Sequence, residues 1–83
     1  MGEKNYIKAR EWYEKAAALG DKDAMFNLGY LYSHGQGVKQ DYVIAREWYE
    51  KAAALGHKVA MNNLGNLYCD GKIDDDFPTE TRK

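Results

Sequence analysis

The chain has 83 residues, with 12 basic and 13 acidic side chains, a net charge of −1 and a single cysteine, Cys69. That length holds one small domain near the lower limit for a self-sufficient core. The even charge balance excludes the basic face that nucleic acid demands, one thiol excludes an internal disulfide, and no apolar run approaches the ~18 residues of a membrane span.

The first predicted element lies near residues 4–19. Ala9, Trp12, Tyr13, Ala16, Ala17 and Leu19 recur there at spacings of three and four, one face of a helix. Asn5 is placed to cap it, and Gly20 to close it in a left-handed turn. Arg10–Glu14 and Glu11–Lys15 are spaced as i,i+4 pairs for the outer face, worth ~0.3–0.5 kcal/mol each.

The second element, near 22–34, has Asp21 as N-cap and Ala24, Met25, Leu28, Leu31 and Tyr32 as its apolar face. Gly29 sits in mid-helix, where glycine costs ~1 kcal/mol against alanine. Such a cost implies a neighbouring helix that approaches too closely for a Cβ. HGQGVKQD then supplies two glycines for the reversal.

From there the chain repeats itself. Tyr6 to Gly35 returns as Tyr42 to Gly71 at an offset of 36, with 22 of the 30 pairs identical. The third helix is therefore expected near 40–55, capped by Asp41 and closed by Gly56, and the fourth near 58–70. Gly65 repeats Gly29, and the same close approach is expected of it. Residues 1–71 form the ordered body, and residues 72–83, with clustered acids and one proline, read as a flexible acidic tail. A fixed period in this range predicts an all-α solenoid, whose units bury their apolar faces only against one another.

Certain residues stand at the same places in both copies: Ala24, Leu28, Gly29 and Tyr32, and again Ala60, Leu64, Gly65 and Tyr68. Gly35, Gly37, Val38 and Asp41 follow, then Ala45, Trp48, Tyr49, Lys51, Ala52, Ala53 and Gly56. In this pattern the chain resembles the Sel-one-like repeat family, solenoid relatives of the tetratricopeptide repeats, over residues 6–71. The resemblance implies an α–α superhelix of antiparallel helix pairs, with one complete repeat between two half repeats. It implies protein–protein interaction as the function. The secreted branch of that family carries paired cysteines and includes hydrolases, whereas Ser33 here stands opposite Cys69.

Where the copies disagree, the fold leaves the residue free. In the second and fourth helices the differing pairs are Asp23/Val59, Phe26/Asn62, Tyr30/Asn66, Ser33/Cys69 and His34/Asp70. At 100° per residue these positions share an arc of about 100°, a single stripe. By resemblance to tetratricopeptide repeats it lines the inner, concave groove. Phe26, Tyr30, Asn62 and Asn66, with His34 and Asp70 at the rim, are thus the candidate partner-binding residues. Two aromatics one turn apart suit a recognition surface, and the absence of Lys and Arg from the stripe favours a neutral or mildly basic peptide. Drift of a solvated face after duplication would leave the same pattern.

No catalytic residues are expected. His34 and His57 fall in different units, and Cys69 has no assigned base. The run Asp70 to Asp76 lacks the ligand spacing of a calcium loop, and Gly35-Gln36-Gly37 lacks a phosphate-binding motif. No metal or cofactor is expected, and a small hydrolase is the minor alternative. Self-assembly is the structural alternative: Trp12, Tyr13, Met61, Leu64, Leu67 and Tyr68 on the end helices need cover, which a dimer through those helices would supply. A tail folded back through Ile73 and Phe77 would supply it too. The opening residues MGEKNYIKAR have no signal-peptide core, so the chain as written reads as cytoplasmic.

Overall fold

The computed structural model describes residues 5–73. Among them the backbone forms four α-helices, α1 (Tyr6–Ala18), α2 (Lys22–His34), α3 (Tyr42–Ala54) and α4 (Lys58–Cys69). Each starts where a side chain can accept an otherwise unpaired amide of the first turn. Asn5 Oδ1 accepts from the Lys8 amide at 3.1 Å, and Asp21 Oδ1 and Asp41 Oδ1 each accept two such bonds. In α4 the cap is His57, whose Nδ1 accepts from the Ala60 amide at 3.1 Å. That nitrogen is therefore the unprotonated one of the ring.

The helices pack serially, α1 on α2, α2 on α3 and α3 on α4, the arrangement of an all-α repeat solenoid. The α2–α3 contact is the centre of the molecule. Leu28 and Tyr49 are fully buried there, and Ala24, Ala45, Ala52 and Ala60 close around them with side chains small enough for near approach. Gly29 is the closest point. A Cβ built on it would stand 2.6 Å from both Cδ1 and Cε1 of Tyr49.

Gly65 differs from the sequence expectation. A Cβ there would meet no described residue within 4 Å. Its partner ring would come from a helix lying on α4 as α3 lies on α2, and among the described residues there is none. The same contrast runs through the repeat. Met25 is 9% exposed and its equivalent Met61 48%; Tyr49 is buried and Tyr13 only half-buried; Trp12 is 67% exposed.

The start of the expected flexible tail packs on the body. Ile73 is 7% exposed and joins the core, and the Lys72 ammonium lies 5.4 Å from the Tyr42 ring centroid. An apolar side chain and an aliphatic stem give these two residues something to bury. The acidic run Asp74 to Asp76 and Phe77 lie outside the described residues.

On the outer face Arg10 reaches Glu14 at 3.2 Å and Arg46 stands 3.9 Å from Glu50. The lysines do otherwise than expected: Lys15 sits 5.3 Å from the Trp12 ring centroid and Lys51 5.5 Å from that of Trp48, in place of pairing with Glu11 and Glu47. The indole one turn away, exposed in Trp12 and half-buried in Trp48, offers the cation a π-face and the stem a surface to cover. No helix among the described residues is long and apolar enough to cross a membrane.

Candidate functional site

A groove of about 490 Å³ opens between α2, α3 and α4. Tyr30 and His34 come from α2, Tyr42 and Tyr49 from α3, and Asn63 and Asn66 from α4, with Asp70, which ends that helix, and Lys72 just beyond. The wall on the α2 side is tied together by polar contacts. Ser33 Oγ donates to the Tyr30 carbonyl at 3.1 Å and lies 3.4 Å from the Tyr49 hydroxyl. His34 Nδ1 is 3.0 Å from the same carbonyl, and its ring stacks on Tyr30 at 4.0 Å. Gln40 Nε2 donates to the Ser33 carbonyl at 2.9 Å and to the Tyr42 hydroxyl at 3.1 Å. The result is a groove with aromatic faces and a fixed frame of hydrogen-bonding groups.

Ser33 Oγ is also 2.9 Å from His34 Nδ1, which has the components of a nucleophile and a base. The chemistry does not follow. A carbonyl only accepts, so Nδ1 carries its proton toward Tyr30 and has no lone pair for the serine. Ser33 is moreover 8% exposed and engaged by its neighbours. Cys69 is an exposed free thiol at the end of α4. Among the described residues no three His, Cys, Asp or Glu side chains converge to hold a metal ion.

Burial raises the Tyr49 phenol above its ordinary range, with Ser33 and Asn63 pulling more weakly the other way. The folded state thus holds this proton more tightly than the unfolded chain does. Stability from this group is complete below pH ~10, the unfolded phenol value, and is lost as pH rises through the folded one. Urea midpoints should therefore fall above pH ~10 in wild type and fall less steeply in Tyr49→Phe. Parallel curves for the two proteins would assign the alkaline loss to other groups.

Of the residues singled out in the sequence, Tyr30, His34, Asn66 and Asp70 line this groove together. Phe26 and Asn62 do not. Phe26 is half-buried against the core, stacked on His57 at 4.7 Å and tilted against Tyr49 at 5.6 Å. His57 Nε2 also stands 3.2 Å from Asp23, so one imidazole joins two residues of α2 to the first turn of α4. Ser33, another stripe position, is buried as well. The stripe is real as an arc of α2, but α3 and the start of α4 cover part of it, and a helical wheel cannot say where a neighbour falls. Asn62 is exposed on α4.

Gln40, Tyr42 and Asn63 were missed. Comparing copies favours positions that differ, and Tyr42 and Asn63 are identical to Tyr6 and Asn27. The available signal was an amide kept in both copies beside an apolar stripe.

A second groove, of about 580 Å³, lies between α1 and α2. Tyr6, Tyr13, Asn27, Tyr30, Leu31 and Gln36 line it, and each stands 36 positions before a lining residue of the first groove. The groove is thus a property of the repeat. The first differs in having an extra wall, from Ser33, His34 and Gln40, supplied by the preceding helix and loop.

Serial helices, a glycine seat for the next helix and a groove once per period define a helical repeat protein. Comparison with known families gives the particular one: the Sel1 repeat matches residues 1–21, 22–57 and 58–77, and the chain belongs to this family. Over 41 residues it is 49% identical to the ERAD-associated E3 ubiquitin-protein ligase component HRD3B of Arabidopsis thaliana, covering 49% of this chain and 7% of that protein. Over 38 residues it is 45% identical to HcpC of Helicobacter pylori, named with a proposed beta-lactamase activity, covering 46% of this chain and 13% of that protein. The crystal structure of a Sel1 repeat protein from Oxalobacter formigenes superposes with a TM-score of 0.78 at 43% identity, over 83% of this chain and 28% of that one. The chain thus spans a small part of each of these relatives.

Proposed function

We propose that this chain is a protein-interaction module that binds an extended segment of a partner protein in the groove between α2, α3 and α4, taken as the concave face of the solenoid. The observation that carries this reading is the groove itself, repeated at the sequence period and furnished with both aromatic faces and amides. The stacked Tyr30–His34 pair offers a flat surface to an apolar side chain. Asn63 and Asn66 can pair with the polar groups of a peptide backbone, and Asp70 favours a neutral or mildly basic partner over an acidic one. Phe26 contributes indirectly, by holding Tyr49 in the groove floor, and Asn62 extends the contact along α4. The name of HRD3B, a ligase component, supports a role in protein assemblies. Hydrolysis is the weaker reading, since the Ser33–His34 contact lacks a free base.

The test is selection of binders from a random-peptide display library, followed by affinity measurement on Tyr30→Ala, Asn66→Ala and the double variant. Each should keep the helical circular dichroism of wild type, and the double variant should lose about tenfold or more in affinity. Selected peptides that bind the double variant as well as wild type would place recognition elsewhere. Self-assembly through the end helices is a second reading, favoured by the exposed Trp12, Met61 and Tyr68 on α1 and α4.

A further inference from the structure

We infer that a second copy of this chain docks its α1 on the outer side of α4, head to tail, in the register that α3 keeps on α2, and that the junction completes a further groove. This rests on the self-assembly reading and gives it a geometry.

The template is inside the molecule. Residues Ala9–Ala18 of α1 and Ala45–Ala54 of α3 are identical, ten residues in succession. Tyr49 of α3 seats over Gly29, and Ala45 and Ala52, one turn to either side of it on the same helix face, are fully buried. In α1 the same face carries Ala9, Tyr13 and Ala16, all only partly covered. The receiving surface is repeated too. Ala24, Leu28, Gly29 and Tyr32 of α2 recur on α4 as Ala60, Leu64, Gly65 and Tyr68, and among the described residues nothing occupies the seat at Gly65. Among the described residues, one chain thus holds both an unfilled seat and an unseated copy of the residue that fills it.

The positions at which the repeats differ remain compatible with this joint. Within the chain, Phe26 stacks on His57. Moved by one period, that pair becomes Asn62 of one copy and Asp21 of the next, an amide facing a carboxylate. Asp21 uses Oδ1 to cap α2, which leaves Oδ2 to accept from Asn62. The contact between Asp23 and His57 becomes Val59 and Asp21, with no like charges opposed. The backbone bond from the Asp41 amide to the Tyr32 carbonyl, 2.9 Å here, becomes one from Asn5 to Tyr68.

The groove between α1 and α2 gains its missing wall by the same operation. Tyr42 and Tyr49 face Tyr30, Ser33 and His34 across the first groove; Tyr6 and Tyr13 would face Asn66, Cys69 and Asp70 of the preceding copy. The two docking surfaces are different, so the contact is heterologous and propagates. Because each joint would repeat the step from one unit to the next of a superhelix, the result is open chains whose length rises with concentration, not a closed pair.

Sedimentation equilibrium of the full chain at ~10–100 μM reads the result, an ordinary range for contacts of one helix face. Wild-type mass should climb progressively. Gly65→Val, with open space around it, should keep the wild-type circular dichroism and stay monomeric because the seat is blocked. Tyr13→Glu should also be monomeric, with Tyr13→Ala in its place if the charge disturbs α1. Mixed in equal amounts, the Gly65→Val chain still presents α1 and the Tyr13 variant still presents α4, so the mixture should stop at two chains. Monomeric wild type throughout the range overturns self-assembly, as would cover of α4 by the chain's own terminal residues. Association undiminished in Gly65→Val overturns the register, and a Tyr13 variant that dimerises alone replaces head-to-tail docking by symmetric pairing of α4. None of these outcomes bears on peptide selection, which reads the first groove separately.

Discussion

Tyr49→Ala is expected to remove most of the stability of this chain. The side chain is 1% exposed, and its ring meets Gly29 and Phe26 while its hydroxyl meets Ser33, so its loss empties the contact between α2 and α3. Truncation of a buried aromatic to alanine costs ~3–5 kcal/mol. A domain of this size holds only ~4–12 kcal/mol in total, at ~0.05–0.15 kcal/mol per residue. Urea unfolding followed by helical circular dichroism should show the transition shifted to very low denaturant, or a chain already unfolded in buffer. Tyr13→Ala, the same residue in the other copy, should cost distinctly less, because Tyr13 is only half-buried among the described residues. Equal midpoints for these two variants would mean that Tyr49 is not the keystone its burial implies.

The second large effect separates two glycines that the sequence cannot tell apart. Gly29→Val puts a Cβ 2.6 Å from two carbons of a ring with no room to retreat, an overpacking cost of ~1–3 kcal/mol or more. Helix propensity returns only a few tenths, since valine is ~0.3–0.5 kcal/mol better than glycine in a helix. Gly65→Val collects the same gain in open space. In dilute solution its urea midpoint should therefore match or slightly exceed that of wild type, while that of Gly29→Val falls well below. A Gly65→Val variant as unstable as Gly29→Val would show that α4 is covered on that side after all.

These glycines also mark how far the sequence could be read. Helix positions were legible because their causes are local: the cap at Asp21 or Asp41 and the apolar spacing behind it all lie within one or two turns. That Gly29 marks a close approach was legible too, because a mid-helix glycine has a cost that needs a reason. Gly65 has the same sequence context and the opposite surroundings, because surroundings depend on which helix comes next. Phe26 fails for a related reason. Its place on the arc was right, but the ring that covers it, His57, stands 31 positions on and differs from its counterpart Asp21. In the groove, Tyr30, His34, Asn66 and Asp70 were found as differences between copies, whereas Asn63 and Tyr42 were hidden by being the same in both.

His57 has a mechanical consequence. Its ring is braced at three points: the Ala60 amide at Nδ1, Asp23 at Nε2 and the face of Phe26. It works as a strut between α2 and α4, which flank α3 and carry the two rims of the groove. Through it the start of α2 and the start of α4 are held to each other across α3. At the equivalent place one period earlier stands Asp21, which can cap a helix but has no ring to brace. A solenoid of such units is therefore unevenly elastic, stiff where a histidine bridges its turns and compliant where an aspartate stands instead.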